Sequence, residues 1–378
     1  METVVNVYSL TRFHYFPLAS YNSKDLRFQV RTAWPNFKAK TYIPDPALKN
    51  HTTAYSSLFL SLLNARRAGT SMDKIAKRLV FCSTKQADQT VLNSHVAVAL
   101  KSVPSNAIID HAGLNPEYES RALEAEAEIY GFHKTGNQNN VEFEDRLYNA
   151  LDLSKSLFLL SNAAKLTFQH RVSRKHDFFK VNNPAVDNTL FKPSNTWVKS
   201  FKNRRIKFLF VGASVPRKGI HRLMSVLSRL SRSYELHLDI VGGLPKDTEM
   251  IRLFEEHKNS FSFTQVGIKP EADLPAYYQK ADIFVLPSLA DGWGYVTNQA
   301  QACGLPVIVS DKCGSADLVQ NGNGKIFTAG DDNSLENAII EVIGQFSDFE
   351  GVRKTRSVKK RSWADFATDY AESIRSLA

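Results

Sequence analysis

The chain has 378 residues, of which 43% are hydrophobic, 23% charged and 11% aromatic, and its formal net charge is +10. That length predicts two domains of ordinary size, the apolar fraction excludes global disorder, and no run approaches the ~20 apolar residues of a spanning helix. Three scattered cysteines (Cys82, Cys303, Cys313) suit neither a disulfide framework nor a zinc site, so reduced thiols in a cytoplasmic protein are expected.

In chain order, residues 4–10 and 26–30 have strand length and apolar patterning, and Arg12 interrupts any signal-peptide core. Residues 51–67 and 87–100 predict helices, with strands at 77–82 and 107–110. Helices follow at 117–131 and 141–151, and the acidic stretch 117–128 reads as a solvated face. Strands at 157–160 and 178–182 flank a helix at 162–171. The stretch 187–205, with Pro193 and a basic cluster, has linker composition.

Beyond it, short apolar runs at 207–211, 236–241, 261–266, 283–286, 307–309 and 325–327 alternate with helical patterns at 220–230, 247–257, 273–280, 295–303 and 334–343. Six strands alternating with helices predict a parallel sheet covered on both faces. The tail, 362–377, is an amphipathic helix with Trp363, Phe366, Tyr370 and Ile374 along one side. The expected domains are therefore 1–186, a linker over 187–205, 206–361, and a terminal helix over 362–378.

Three strand-to-helix turns carry the chemistry. Val211-Gly212-Ala213-Ser214-Val215-Pro216-Arg217-Lys218-Gly219 places two cations at a helix start, a conflict with the helix dipole that a bound phosphate resolves. The alternative is a solvated turn. Asp291-Gly292-Trp293-Gly294 follows the strand at 283–286, with Gln299 two turns further on; two such polar groups facing one crevice suit the hydroxyls of a ribose and a sugar, although Asp291 equally reads as a helix cap. Cys303-Gly304-Leu305-Pro306 stops a helix and turns the chain into a buried strand, which is mainly structural.

Taken in this order, the phosphate turn, ADIFVLPS, DGWG and QACGLPVIVSD resemble retaining glycosyltransferases of the GT-B fold, best over residues 206–345. Asn182-Asn183-Pro184-Ala185-Val186-Asp187 with Phe191-Lys192-Pro193 looks like the family's linker, and the helix with Trp363 like its terminal crossing helix. The resemblance implies an α/β protein of two Rossmann-like domains, their parallel sheets facing across a cleft. It implies Lys218 as the diphosphate lysine and Asp291 as the residue at the transferred sugar. Gln299 stands where the family carries a second acidic residue at the ribose, and Ala213 where it carries an arginine that Arg217 could replace. Gly212, Ser214, Gly267, Gly292, Trp293 and Gly294 complete the expected donor site. In the first domain His111, as a catalytic candidate, and Arg12, His14, His95 and Asp110 sit where such enzymes face the acceptor.

A sugar transferase using a nucleoside-diphosphate sugar is the leading reading, in surface-polysaccharide assembly on a glycan or lipid-linked acceptor, with retention. No Asp-x-Asp loop lies at a strand end, which agrees with the metal independence the resemblance implies, and no cofactor is expected besides the nucleotide sugar as substrate. Residues 1–110 hold 14 Lys and Arg against six Asp and Glu, which predicts peripheral binding to an anionic membrane face. Aromatics do not alternate with these cations as a nucleic-acid platform requires. Ala213 and Gln299 keep open a non-catalytic sugar-nucleotide-binding or scaffolding subunit; an epimerase on the same plan lacks the acidic residues it would need.

Overall fold

The computed structural model describes residues 3–9, 26–32, 52–54, 89–100, 103–104, 106–133, 139–174, 176–193, 205–320, 322–345 and 361–377. The expected strand at 77–82, most of the helix at 51–67, Cys82, Arg12 and His14 lie outside these residues. Among those described, thirteen strands form two sheets, each parallel throughout.

The first sheet runs in the order β3-β2-β1-β4-β5-β6-β7. Its strands are β1 (Thr3–Ser9), β2 (Leu26–Thr32), β3 (Thr52–Ala54), β4 (Gln89–Asn93), β5 (Ala107–His111), β6 (Ser156–Leu159) and β7 (Phe179–Val181). Helices α1 (Ser94–Ala99), α2 (Pro116–Tyr130), α3 (Asn139–Leu153) and α4 (Asn162–Gln169) supply its crossovers. Two expectations are corrected here. The predicted helix at 87–100 is β4 followed at once by α1, because a five-residue strand with adjacent Val91 and Leu92 shows no period of two to separate it from a helix. The start of the predicted helix at 51–67 is the edge strand β3.

The second sheet has the order β10-β9-β8-β11-β12-β13. It comprises β8 (Ile206–Val211), β9 (Leu236–Val241), β10 (Ser262–Gly267), β11 (Ile283–Leu286), β12 (Val307–Ser310) and β13 (Gly324–Phe327). Between the strands lie α5 (Ile220–Leu230), α6 (Thr248–His257), α7 (Leu274–Lys280) and α8 (Tyr295–Ala302), and α9 (Asp332–Gln345) follows β13. Phe208, Leu209, Phe210, Ile283, Phe284 and Val285 are fully buried between the helical layers. The chain order reverses beside β8, which lies between β9 and β11. In an open parallel sheet the crevice for a ligand opens at the carboxyl ends of the strands on either side of such a reversal. The two richest motifs of the sequence follow β8 and β11.

Helix α10 (Trp363–Arg375) starts at a capping box made by Ser362 and Asp365. Its Phe366, Tyr370 and Ile374 pack against Val5, Val7, Val91, Ile108 and Phe158, so the last helix completes the core of the first sheet.

Helix α2 is only in part the solvated face its acidic sequence predicts: Glu124 and Glu128 are exposed, whereas one carboxylate is not. Asn115 caps its first turn and Gly131, at φ 71°, ends it. Along its length Glu126 is buried, and Ala127, Tyr130 and Phe132 pack with the core of the second domain. It is a strut between the domains.

Candidate functional site

At the carboxyl end of the second sheet, backbone approaches closer than a Cβ permits. A Cβ on Gly242, at φ +143°, would lie 1.9 Å from the Gly212 carbonyl oxygen. Ser214 N–H donates to Gly243 O at 2.7 Å and Gly242 N–H to Gly267 O at 3.0 Å, stitching the turns after β8, β9 and β10 together. Gly267 takes φ +79°, and the Ile268 that follows is 80% exposed. Ser214 is buried, yet its Oγ has no hydrogen-bond partner.

Arg217 and Lys218 occupy a single 3-10 turn, Pro216–Lys218, rather than the first turn of α5. Gly219 closes that turn at φ +66°, and a Cβ there would meet Pro287 O at 1.9 Å, so glycine lets the turn lie against the loop after β11. Arg217 Nη1 donates to Ala290 O at 2.7 Å, and Leu289 N–H donates to Arg217 O at 2.9 Å. Lys218 Nζ pairs with Asp291 Oδ2, and the two side chains retain 18% and 12% of their exposure.

The Asp291 loop is fixed from three sides. Asp291 N–H donates to Lys312 O at 3.0 Å and Gly314 N–H to Asp291 O at 2.8 Å. Gly292 lies against the first domain: a Cβ would fall 1.9 Å from Ala112 O, and Ser161 Oγ donates to Gly292 O at 3.0 Å. Gly294, at φ +85°, opens α8. Beneath the loop, burial pushes the Cys313 thiol up to about 12, with the Asp291 charge adding to the rise. Cys303 and Cys313 are both buried, and neither is in a disulfide.

The expected site residues divide accordingly. Gly212, Ser214, Arg217, Lys218, Asp291, Gly292, Gly294 and Gly267 gather at this crevice. Gln299 stands at its side, accepting from Tyr278 Oη at 2.9 Å and donating to Glu271 Oε1 at 3.4 Å. Trp293 is placed otherwise: it is 2% exposed, and its indole donates at 2.8 Å to Asn298, whose amide reaches the Pro184 carbonyl. It packs the loop onto the linker instead of offering a surface to a ligand. His111 is 5% exposed, with Nε2 at 3.1 Å from Leu114 O and its ring edge-on to Phe168. The ring is thus packed at the end of β5. Asp110 is buried and accepts from Tyr370 Oη at 2.7 Å, so it anchors α10 rather than facing an acceptor. His95 lies on α1.

Sequence reasoning missed two carboxylates on α2. Glu119 pairs with Arg217 at 3.2 Å. Burial raises its pKa; Arg217 and Lys218 oppose the rise and Asp291 adds to it. Glu126 takes Arg222 Nε at 2.7 Å and Nη2 at 2.8 Å, together with His221 Nε2, while Arg222 Nη1 reaches Asp332 at 2.8 Å. The only sequence signal was their seven-residue spacing, which puts both on one helix face. Among the described residues no group of three or more His, Cys, Asp or Glu is placed to hold a metal ion, and no helix is long and apolar enough to cross a membrane.

Two parallel Rossmann-like sheets, with a glycine-floored basic turn at the switch point of the second, define the GT-B class of fold. Anabaena HepE in complex with UDP superimposes at a TM-score of 0.66 and 16% identity, covering 100% of both chains. Residues 191–346 match the family model of the glycosyl transferases group 1. Curated relatives include an uncharacterized glycosyltransferase of Methanocaldococcus jannaschii, 31% identical over 41% of this chain and 44% of its own length. The capsular polysaccharide biosynthesis glycosyltransferase CapM of Staphylococcus aureus is 32% identical over 39% of this chain and 38% of its own. The chain thus spans less than half the length of these relatives.

Proposed function

We propose that this protein transfers a sugar from a nucleoside-diphosphate sugar to a glycan or lipid-linked glycan, with retention, in the assembly of a surface polysaccharide. The observation that carries this reading is the Lys218 ammonium, held by Asp291 at the switch point and still reachable from the crevice. As the glycosidic bond lengthens, negative charge accumulates on the departing diphosphate. A fixed ammonium, a guanidinium at Arg217 and backbone N–H groups stabilise that charge without reorganising. The unpartnered Ser214 hydroxyl supplies one more donor for a phosphate oxygen. Ile268 and Leu244, 80% and 52% exposed just past the stitched turns, offer an apolar ledge for a base. Gln299 offers the ribose a weaker partner than a carboxylate, since its oxygen already accepts from Tyr278; Glu271 beside it supplies charged acceptors instead.

The resemblance to CapM, a capsular polysaccharide biosynthesis glycosyltransferase, supports the polysaccharide setting. The excess of cations in residues 1–110 supports docking on an anionic membrane face, which cosedimentation with anionic vesicles tests by its loss at high salt. A thermal-shift screen with UDP-, GDP-, ADP- and TDP-sugars tests the donor. At 100 times its dissociation constant the right one stabilises the fold by about 2.7 kcal/mol, and no response to any of them would refute the reading. The half-occupied Gln299 favours one second reading, a subunit that binds the donor without turning it over. Transfer or donor hydrolysis by the purified protein rules that out.

A further inference from the structure

The cations assigned to the diphosphate are each already paired with a carboxylate, and the two pairs are not alike. Lys218 and Asp291 belong to one domain, and Asp291 is fixed through its backbone on both sides. Arg217 and Glu119 belong to different domains, and both side chains of that pair remain partly exposed. The guanidinium of Arg217 does not depend on Glu119 for its place, because Nη1 is held by Ala290 O.

Helix α2 does not depend on Glu119 either. Two turns along the same face, Glu126 is buried in a bidentate pair with Arg222, and Tyr130 lies under the same guanidinium at 5.2 Å. One end of the strut is locked and the other is exchangeable.

We propose that Glu119 is a built-in competitor for the phosphate position at Arg217, so that donor entry and release of the Glu119 end of α2 are one event. The inference rests on reading Arg217 and Lys218 as an anion site. A diphosphate brings two negative charges and several acceptor oxygens to a guanidinium that Glu119 meets with a single carboxylate, so the exchange runs toward phosphate. Glu126 keeps the domains together while it happens. The released carboxylate then stands in the cleft on the side of the first domain.

Calorimetric titration of the whole protein with inorganic pyrophosphate, at one fixed salt concentration, tests this. Removing a partly exposed competing ion pair predicts that Glu119→Gln binds pyrophosphate about two- to fivefold tighter than wild type. Damage to the fold would weaken binding, so a merely structural role does not mimic the result. Glu128→Gln makes the same change of charge at an exposed position of the same helix and is expected to leave the affinity within about 1.5-fold, given that exposed charges are screened. Equal or weaker binding by Glu119→Gln, equal tightening by Glu128→Gln, or no pyrophosphate binding by any form would overturn the proposal. Tighter pyrophosphate binding in a protein that ignores every nucleotide sugar would leave the exchange standing and remove the transferase reading. Nucleotide-sugar turnover with no effect of Glu119→Gln would do the reverse.

Discussion

Replacing Glu126 by Ala removes the buried acceptor on which the strut between the domains depends. The carboxylate takes two bonds from Arg222, at 2.7 and 2.8 Å, and one from His221. Without it the guanidinium keeps only Asp332, at 2.8 Å, and the Tyr130 face. Breaking a buried pair by deleting one partner costs about 3–5 kcal/mol, and the surviving Asp332 contact argues for the lower half, about 3–4 kcal/mol. At about 2–4 °C per kcal/mol for a domain of this size, the melting midpoint should fall by about 6–16 °C. Glu126→Gln keeps the volume and one acceptor and should lose about half as much. Urea unfolding followed by the fluorescence of the four tryptophans reads both variants. A loss below about 1 kcal/mol for Glu126→Ala would mean that water screens the cluster and that α2 is held by apolar packing alone.

The same cluster sets a pH dependence: burial would raise the Glu126 carboxyl, but hydrogen bonds from His221 and Arg222 outweigh it and hold the pKa below 4.5, while burial holds His221 below 6.5. The unfolded chain therefore binds more protons, and stability should fall as pH drops from about 7 toward 4, a slope that Glu126→Gln flattens below about 4.5 and that a flat wild-type profile would contradict. Gly292→Ala sets a Cβ 1.9 Å from Ala112 O, which only backbone movement relieves. We expect about 1–3 kcal/mol of lost stability by urea unfolding and at least tenfold lower activity; wild-type behaviour would show that the loop does not bear on the first domain. Tyr370→Phe removes a 2.7 Å bond to the buried Asp110 and should cost about 1–3 kcal/mol by the same measurement, with α10 becoming more open to proteolysis; a change under about 0.5 kcal/mol would contradict the anchoring role.

The second domain was legible because its strands are short apolar runs closed by Gly, Pro or Asp, and the strands Leu236–Val241 and Ile283–Leu286 and the helix Ile220–Leu230 were predicted to the residue. Lys218 and Asp291 were legible as types at motif positions, though not as an ion pair, since 73 residues separate them. β4 and α1 were fused into one helix because no breaker stands between Asn93 and Ser94. Trp293 and Asp110 were drawn to the cleft by motif position, whereas their buried hydrogen bonds, to Asn298 and from Tyr370, appear only in the assembled domains. Glu119 and Glu126 looked solvated because their partners lie about a hundred residues away in the other domain. Charge pairing across a domain seam leaves no local periodicity to read.

Turnover of Lys218→Ala with the donor that stabilises the wild-type fold most is the direct test of the ammonium at the switch point. If its charge follows the leaving diphosphate, the turnover rate falls at least about tenfold, a loss of 1.4 kcal/mol or more of transition-state stabilisation, and affinity for the nucleoside diphosphate weakens with it. Kinetics indistinguishable from wild type across a full donor titration would contradict the account.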